Sequence, residues 1–339
     1  MFNNLLFLIR FKLKPLFYIL MPTEIPNSEE IEFKDKFIER YKKLTDFEVF
    51  KKYSLSFLRR SIRVNTIKIS IEELKKRLEK NWNLEQIPWC KEGFYIEHIK
   101  KERRDIGNLI EHSLGYFYTQ EAASMIPPLV LEPKETDIIL DIAASPGSKA
   151  TQIAALMKNK GILIANDYQI ARIKPLSLNI QRCGITNCII TLMQGQWFKK
   201  SNIEFDKILV DAPCSGTGTI RKSLKTLRIW NPNMVKRLSI TQKQLIETGF
   251  NVLKQDGTLV YSTCSSEPEE NEAVIDFLIN KYDNAKLEEI KLNNIKRSNP
   301  ILEFENNKYN EEIKKCLRIW PQDNDTEGFF VCKIRKSQN

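Results

Sequence analysis

The chain of 339 residues lacks the marks of several common catalytic designs. It has only two histidines, His98 and His112. That argues against a His-centred triad, and both read as ordinary polar residues. Its cysteines (Cys90, Cys183, Cys188, Cys214, Cys264, Cys316 and Cys332) form no CxxC pair. Neither a zinc site nor a small disulfide scaffold is therefore indicated, no metal is expected, and a reducing, cytoplasmic setting fits best. The GxxxxGK[ST] and GxGxxG phosphate fingerprints are absent. No uninterrupted apolar run is long enough to cross a bilayer, so no membrane partner is expected. The apolar first twenty residues are broken by Arg10, Lys12 and Lys14, and no small-residue cleavage site follows. Residues 1–27 read as an extension of uncertain status, with Met21 an alternative start and an interfacial helix the lesser alternative. No internal repeat and no long low-complexity linker is visible.

What is present is a positive excess. The net charge is +10, and 42% of the residues are hydrophobic, as in an ordinary globular protein. Residues 31–105 hold 20 Lys and Arg against 13 Asp and Glu, whereas residues 106–339 hold 30 against 27. A polyanionic partner fits that distribution, and a merely solvated basic face is the alternative. In this basic portion, residues 31–52 have the apolar spacing of one amphipathic helix, Ser61–Ile69 alternates as a strand, and 71–80 reads as a charged helix. Trp82–Ile87 and Gly93–Ile99 read as strands. The result is a small α+β unit displaying Arg59, Arg60, Arg63, Arg103 and Arg104.

From about residue 136 strands and helices alternate, the signature of a parallel α/β sheet. Strands are expected at 137–142, 161–165, 188–192, 205–210 and 257–263, with helices at 147–158, 169–182, 234–254 and 268–282. Pro175 limits the second helix or marks its first turn. The acidic Glu269, Glu270 and Glu272 suit the dipole at the start of the last. Two short strands, 317–320 and 329–334, could close the sheet as a hairpin, and 284–314 is polar and ambiguous.

Two cysteines sit at the carboxyl ends of expected strands, where open α/β sheets place their sites. Cys214 lies in Asp211-Ala212-Pro213-Cys214-Ser215-Gly216-Thr217-Gly218, and Cys264 in Tyr261-Ser262-Thr263-Cys264-Ser265. Each is followed by serine, a poor setting for core packing but a good one for a pocket. Two thiols aimed at one crevice point to covalent chemistry; a disulfide between them is the alternative, disfavoured in the cytosol. The other five cysteines read as buried thiols. The turn Asp141-Ile142-Ala143-Ala144-Ser145-Pro146-Gly147-Ser148-Lys149 is built of small residues that let backbone approach a ligand, and it opens a helix with free N–H groups. Asp167 ends the next strand, where a carboxylate can bind ribose hydroxyls, so a nucleoside-containing cofactor is expected.

These segments resemble the RNA cytosine-5 methyltransferase family, which acts on ribosomal and transfer RNA. The likeness runs from about Phe33 to Lys336. DIAASPGSK is similar to the family's cofactor loop, and DAPCSGTG and YSTCSSEPEENE to its two cysteine motifs. SIRVNT, QEAASMIPP from Gln120 and GFFVCKI also match. The short amino-terminal unit and Ile87-Pro88-Trp89 are most similar to archaeal transfer-RNA members. The resemblance implies a Rossmann-like class I methyltransferase sheet at 111–339, preceded by a basic α+β RNA-binding domain at 28–110. It implies S-adenosylmethionine as cofactor, with residues Ala143, Ala144, Ser145, Pro146, Gly147, Ser148 and Lys149 at its methionine end, Asp167 at the ribose, and Arg172 and Asp211 in support. Cys264 would be the nucleophile toward cytosine C6 and Cys214 would assist release of the product. Asp211 would hold the base edge near N3 and N4, with Lys149 reaching into the same site.

One departure stands out. Where the family often carries an acid after its third strand, this chain has Met193-Gln194-Gly195-Gln196, so Gln194 or backbone must substitute. Ser145 and Ser148 replace the usual alanine and second glycine. The expected activity is methylation of cytosine C5 in transfer RNA, with no obligate protein partner. A ribosomal RNA target and an idle RNA-binding scaffold are the alternatives. An amino-group methyltransferase would carry [DNS]-P-P-[YF] where this chain has Asp-Ala-Pro-Cys.

Overall fold

The computed structural model describes residues 22–338; the expected extension at 1–27 lies largely outside them. Residues 23–25 run beside 55–57, with the Phe57 N–H donating to the Thr23 carbonyl at 2.8 Å. The expected single helix over 31–52 is two helices, Asp35–Tyr41 and Phe47–Ser54. The break has a local cause: the Asp46 side chain accepts from the Val49 N–H at 3.2 Å and so caps a new helix. Four strands make a small antiparallel sheet: β1 (Ser61–Val64), β2 (Trp82–Gln86), β3 (Gly93–His98) and β4 (Phe117–Thr119), in the order β2-β3-β1-β4. The fourth strand comes from beyond residue 110. β1 stops at Val64 rather than Ile69 because the Asn65 side chain turns away to donate to the carbonyls of Gly115 and Cys183, both at 2.8 Å. Helix Ile71–Leu78, opened by a Ser70–Glu73 capping box, covers this sheet with Leu74 and Leu78.

The larger sheet has eight strands. β5 (Ile138–Asp141), β6 (Ile162–Asp167), β7 (Cys188–Leu192), β8 (Phe205–Asp211) and β9 (Leu253–Thr263) are parallel. β10 (Ala285–Glu288), β13 (Leu317–Ile319) and β14 (Phe329–Lys336) join antiparallel, and a separate two-residue hairpin, β11 (Glu303–Phe304) and β12 (Asn307–Lys308), lies between them in sequence. The main path is β10-β14-β9-β8-β5-β6-β7, with β13 on β14. Successive residues face opposite sides, so each strand feeds two cores. Ile139, Leu163, Leu209 and Val260 pack with helices Ser148–Leu156 and Ile170–Cys183. Leu140, Ile164, Ile208 and Leu259 pack with helices Pro232–Asn251 and Glu272–Lys281. Chain order reverses at β5, whose neighbours are β6 and β8, and this is the switch point where such sheets open a crevice. Pro175 is accommodated well inside helix Ile170–Cys183, which Gly184 ends in the left-handed conformation.

The first two helices do not pack on the small sheet. Phe37, Tyr41 and Phe50 cluster with Trp230 and Trp320 of the larger unit. Arg63, expected among the displayed arginines, is 2% exposed. It donates to Gln120 Oε1 at 2.7 Å and to Thr151 Oγ1 at 2.9 Å, bracing β1 against the helix that follows the Ser145–Gly147 turn. Its alternation position on β1 points it into the seam between the sheets. Arg60, Arg103 and Arg104 are exposed, and Arg59 lies 3.6 Å over the Tyr95 ring. No described helix is long and apolar enough to cross a membrane.

A buried ion pair ties the sheet edge to the Cys264 segment: Arg318 donates to Glu272 at 2.8 and 2.6 Å and to the Ser266 carbonyl at 3.0 Å. Arg318→Met leaves the Glu272 carboxylate buried without its cation and is expected to cost about 3–5 kcal/mol. Equilibrium denaturation of the purified variant measures it, and an unchanged midpoint would disprove the assignment.

Candidate active site

The carboxyl ends of β5, β6, β8 and β9 open on one crevice. The Ser145–Pro146 bond is cis, and Gly147 has φ 102°, a conformation that a side chain would strain. The turn is locked from behind: the Tyr118 hydroxyl and Asn179 Nδ2 donate to the Pro146 carbonyl at 3.4 and 2.9 Å. Arg172 and Ser145 exchange hydrogen bonds, Arg172 Nη2 to the Ser145 carbonyl at 2.7 Å and Ser145 Oγ to the Arg172 carbonyl at 2.8 Å. Arg172 also pairs with Asp167 at 3.0 Å. Ala143, Ala144, Ser145, Gly147, Ser148, Asp167 and Arg172 are thus gathered at the β5–β6 side. Gln194, beyond β7, is exposed, with Met193 N–H donating to the Asp167 carbonyl at 3.2 Å.

Under this turn lies Asp141, fully buried, with no hydrogen-bond partner on either carboxylate oxygen. Burial, and secondly the nearby Asp211 charge, push its carboxyl up to about 8. A cationic ligand group would meet that unpaired demand, and the small-residue turn with its helix start would receive the rest of an amino-acid-like ligand. The residues therefore fit a cofactor combining a nucleoside with a cationic amino acid.

At the β8–β9 side, Lys149 Nζ donates to Asp211 Oδ2 at 2.7 Å, and Ser262 Oγ donates to Asp211 Oδ1 at 2.7 Å. Burial alone would lower the Lys149 ammonium, but Asp211 and, more weakly, the Cys264 sulfur hold it raised, so it stays charged. The sulfurs of Cys214 and Cys264 are 3.2 Å apart, and both are free thiols at half-buried positions. The hydrogen bond with Cys264, then burial, raises the Cys214 thiol well above its ordinary range, so Cys214 keeps its proton. The Phe329 ring stands 5.4 Å from Lys149 Nζ. Cys214, Cys264, Asp211 and Lys149 are therefore together. The remaining cysteines are buried except Cys188, which is half-buried.

Sequence reasoning missed what holds the two sulfurs. Glu269, Glu270 and Glu272 were read for their charge at a helix start, yet Glu270 and Glu272 are fully buried, as are Glu267 and Asn271 beside them, and Glu269 is half-buried. Asn271, with φ −118° and ψ −92°, interrupts the helix and turns the acids inward. Glu267 accepts from Arg40 Nε at 2.7 Å, the Tyr41 hydroxyl at 2.9 Å and Trp230 Nε1 at 2.8 Å. Thr263 Oγ1 donates to Asn271 Oδ1 at 2.6 Å, and Asn271 Nδ2 donates to the Ser265 carbonyl at 2.8 Å. The one signal available was the acidic run placed directly after a cysteine motif. Behind β4, Glu121 accepts from the Ala123 and Glu327 N–H groups at 2.7 and 3.2 Å, and burial, then Glu327, pushes its carboxyl up to about 8.

Two family models match the chain. Residues 128–335 match the family model described as 16S rRNA methyltransferase RsmB/F, and residues 33–122 match the N-terminal domain of 16S rRNA methyltransferase RsmF. A tRNA (cytosine(49)-C(5))-methyltransferase of Pyrococcus abyssi is 49% identical over 302 residues, 89% of this chain and 96% of that protein. The ribosomal RNA small subunit methyltransferase F of Shewanella oneidensis is 44% identical over 286 residues, 83% of this chain but only 58% of that protein. Among solved structures, a methyltransferase homolog from Pyrococcus horikoshii superposes with a TM-score of 0.80 at 37% identity, covering 92% of this chain and 99% of that one. NSun6 from Pyrococcus horikoshii with SFG gives 0.79 at 27% identity, covering 91% and 99%.

The two cysteine loops cross at Gly218. Its N–H donates to the Cys264 carbonyl at 3.0 Å, and its own carbonyl accepts from the Gly328 N–H at 2.8 Å. A Cβ there would sit 2.2 Å from the Gly328 oxygen and 2.8 Å from the Cys264 oxygen. Gly218→Ala must spread three backbone segments and is expected to cost at least about 1–3 kcal/mol, with a loss of turnover that exceeds the loss of folded protein. Thermal denaturation beside activity per folded molecule tests it; parallel losses would place the effect in stability alone.

Proposed function

The chain belongs to the RsmB/F methyltransferase family, and on that premise we propose how it works as an RNA cytosine-5 methyltransferase: S-adenosylmethionine is its cofactor, transfer RNA its substrate, and a transient bond from Cys264 to the base its means. The observation that carries this reading is the pair of sulfurs 3.2 Å apart beside the Lys149–Asp211 pair. Cytosine C5 is a weak nucleophile. A thiolate at Cys264 adds to C6, forming an S–C6 bond and shifting the C5–C6 π electrons toward C5, which can then accept an alkyl group. Asp211, bridged to Lys149 and Ser262, takes the N3–N4 edge of the base, and the Lys149 ammonium offsets negative charge that builds on the ring. Loss of the C5 proton to solvent water then returns the electron pair to the C5–C6 bond, the S–C6 bond breaks and Cys264 leaves as thiolate. Cys214, kept as a thiol by its neighbour and by burial, assists this breakdown and is poorly suited to be the nucleophile.

S-adenosylmethionine supplies, when bound, a methyl group on an electron-poor sulfur. Ala143, Ala144, Ser145, Pro146, Gly147 and Ser148 would take its methionine end over Asp141, and Asp167, oriented by Arg172, its ribose. The exposed Arg60, Arg103 and Arg104, with Arg59, would meet RNA phosphates and help extract the target base from its stack. Transfer RNA is favoured over ribosomal RNA because the relative named for transfer RNA matches over 96% of its length, whereas a relative named for ribosomal RNA matches over 58%.

Two substitutions separate the sulfurs. Cys264→Ala is expected to abolish methylation, a fall of several orders of magnitude, with cofactor affinity kept. Cys214→Ala is expected to accumulate a covalent RNA–protein species, seen as a shifted band on denaturing gels. Normal turnover in the first or no band in the second overturns the respective role. For the substrate, bisulfite mapping of transfer RNA and 16S rRNA incubated with enzyme and cofactor should show methylation in transfer RNA; modification confined to 16S rRNA would move the assignment there.

A further inference from the structure

One buried carboxylate that the reaction above does not use receives both cysteine loops. Glu270 accepts from the Ser215 N–H at 2.9 Å and from Gln242 Nε2 at 3.0 Å. It also accepts from the hydroxyls of Ser215 and Ser265, the residues directly after Cys214 and Cys264. The two hydroxyls are themselves 3.1 Å apart. Gln242 Nε2 donates in addition to the Pro213 carbonyl at 2.8 Å, so the residue before Cys214 is held by the same bridge. From below, the Tyr261 hydroxyl donates to the Glu270 carbonyl at 2.5 Å.

We propose that Glu270 is a positioning residue: by binding the serine that follows each cysteine, its carboxylate sets the spacing and mutual aim of the two sulfurs. The inference rests on the two-cysteine reaction proposed above. Cys214 and Cys264 lie on separate loops, 50 residues apart in sequence. The loops also meet just beyond the cysteines, where the Gly218 N–H donates to the Cys264 carbonyl and the Ser266 N–H to Thr217 Oγ1. Glu270 adds an acceptor that binds the residue directly after each cysteine, with both oxygens of one rigid, planar group engaged. Burial pushes the Glu270 carboxyl up to about 7, against the pull of its hydrogen bonds from Ser215 and Ser265. The donors are two hydroxyls, one backbone N–H and one amide, and the carboxylate form satisfies all four. A glutamine amide has one acceptor oxygen, so its NH2 faces either the two N–H donors, which cannot reverse, or the two hydroxyls, which must turn to accept and give up their present bonds. The serine after each cysteine, a feature shared by both motifs, thereby acquires a common reason.

The test uses the full-length protein carrying Glu270→Gln, and separately the double variant Ser215→Ala/Ser265→Ala, which leaves the carboxylate in place. The ruler is the rate at which diamide oxidises Cys214 and Cys264 to a disulfide in the native protein, read by mass spectrometry; it depends on sulfur spacing and not on turnover. Both variants are expected to change that rate by about 5-fold or more. Both should lower kcat on the order of 10- to 100-fold, as a misplacement of about 1 Å does, while KM for RNA and cofactor affinity by calorimetry stay within about 2-fold. If Glu270→Gln fails to fold, the serine pair decides. Wild-type diamide rates and kcat in the folded variants would overturn the inference. Failure of the two-cysteine reaction would appear instead as turnover surviving in Cys264→Ala, whatever diamide reports.

Discussion

Everything at this site depends on a run of buried acids that follows the second cysteine. Adjacent parallel strands deliver Cys214 and Cys264 to the same end of the sheet, but strand spacing alone does not bring two sulfurs into contact. The loops must leave β8 and β9 and converge. Glu267, Glu270, Asn271 and Glu272 accomplish this by bonding in four directions, toward the amino-terminal helices, the Cys214 loop, β9 and β13. Buried carboxylates are costly unless every oxygen is engaged, so such a cluster is only tenable where the surrounding chain is fully committed to one arrangement. The arrangement it enforces puts the two sulfurs 3.2 Å apart.

The crevice has two halves with different electrostatic tasks. At β5 and β6 an unpaired buried acid lies beneath a turn of small residues, a setting that attracts positive charge. At β8 and β9 a raised ammonium is bridged to an aspartate beside a thiol pair, a setting that tolerates transient negative charge on a ring. Lys149 belongs to both, since it begins in the small-residue turn and ends against Asp211. The division also explains why the departure at Gln194 is tolerated geometrically: that position is on the outer rim, and its replacement disturbs neither the turn nor the sulfurs.

The parallel sheet and both cysteine loops were legible because each strand is a short apolar run and each loop a recognisable string of small residues. Strand β7 was read to its exact ends. The failures have physical causes. The helix over 31–52 broke because a capping aspartate in mid-sequence outweighed continuous apolar spacing. Arg63 was taken for a displayed charge because strand alternation gives a side but not what lies on it; Gln120 and the helix carrying Thr151 were there. The acids after Cys264 looked like ordinary dipole complements because one residue, Asn271, in an unusual conformation, redirects them, and backbone angles are not written in composition. Strand β4 is three residues long and has no pattern of its own.

The aromatic cluster formed by Phe37, Tyr41 and Phe50 with Trp230 and Trp320 has a consequence for biosynthesis. The ribosome releases the first two helices before the larger sheet, yet Trp320 emerges only after β13. Vectorial folding can complete the small antiparallel sheet once Thr119 is available, but the segment ahead of it must wait for Trp230 and Trp320 to arrive. That segment carries Arg40, which pairs with Glu267 just after Cys264. Nascent chains interrupted before residue 320 would therefore carry the Asp141–Lys149 turn without the aromatic packing behind the Cys264 segment.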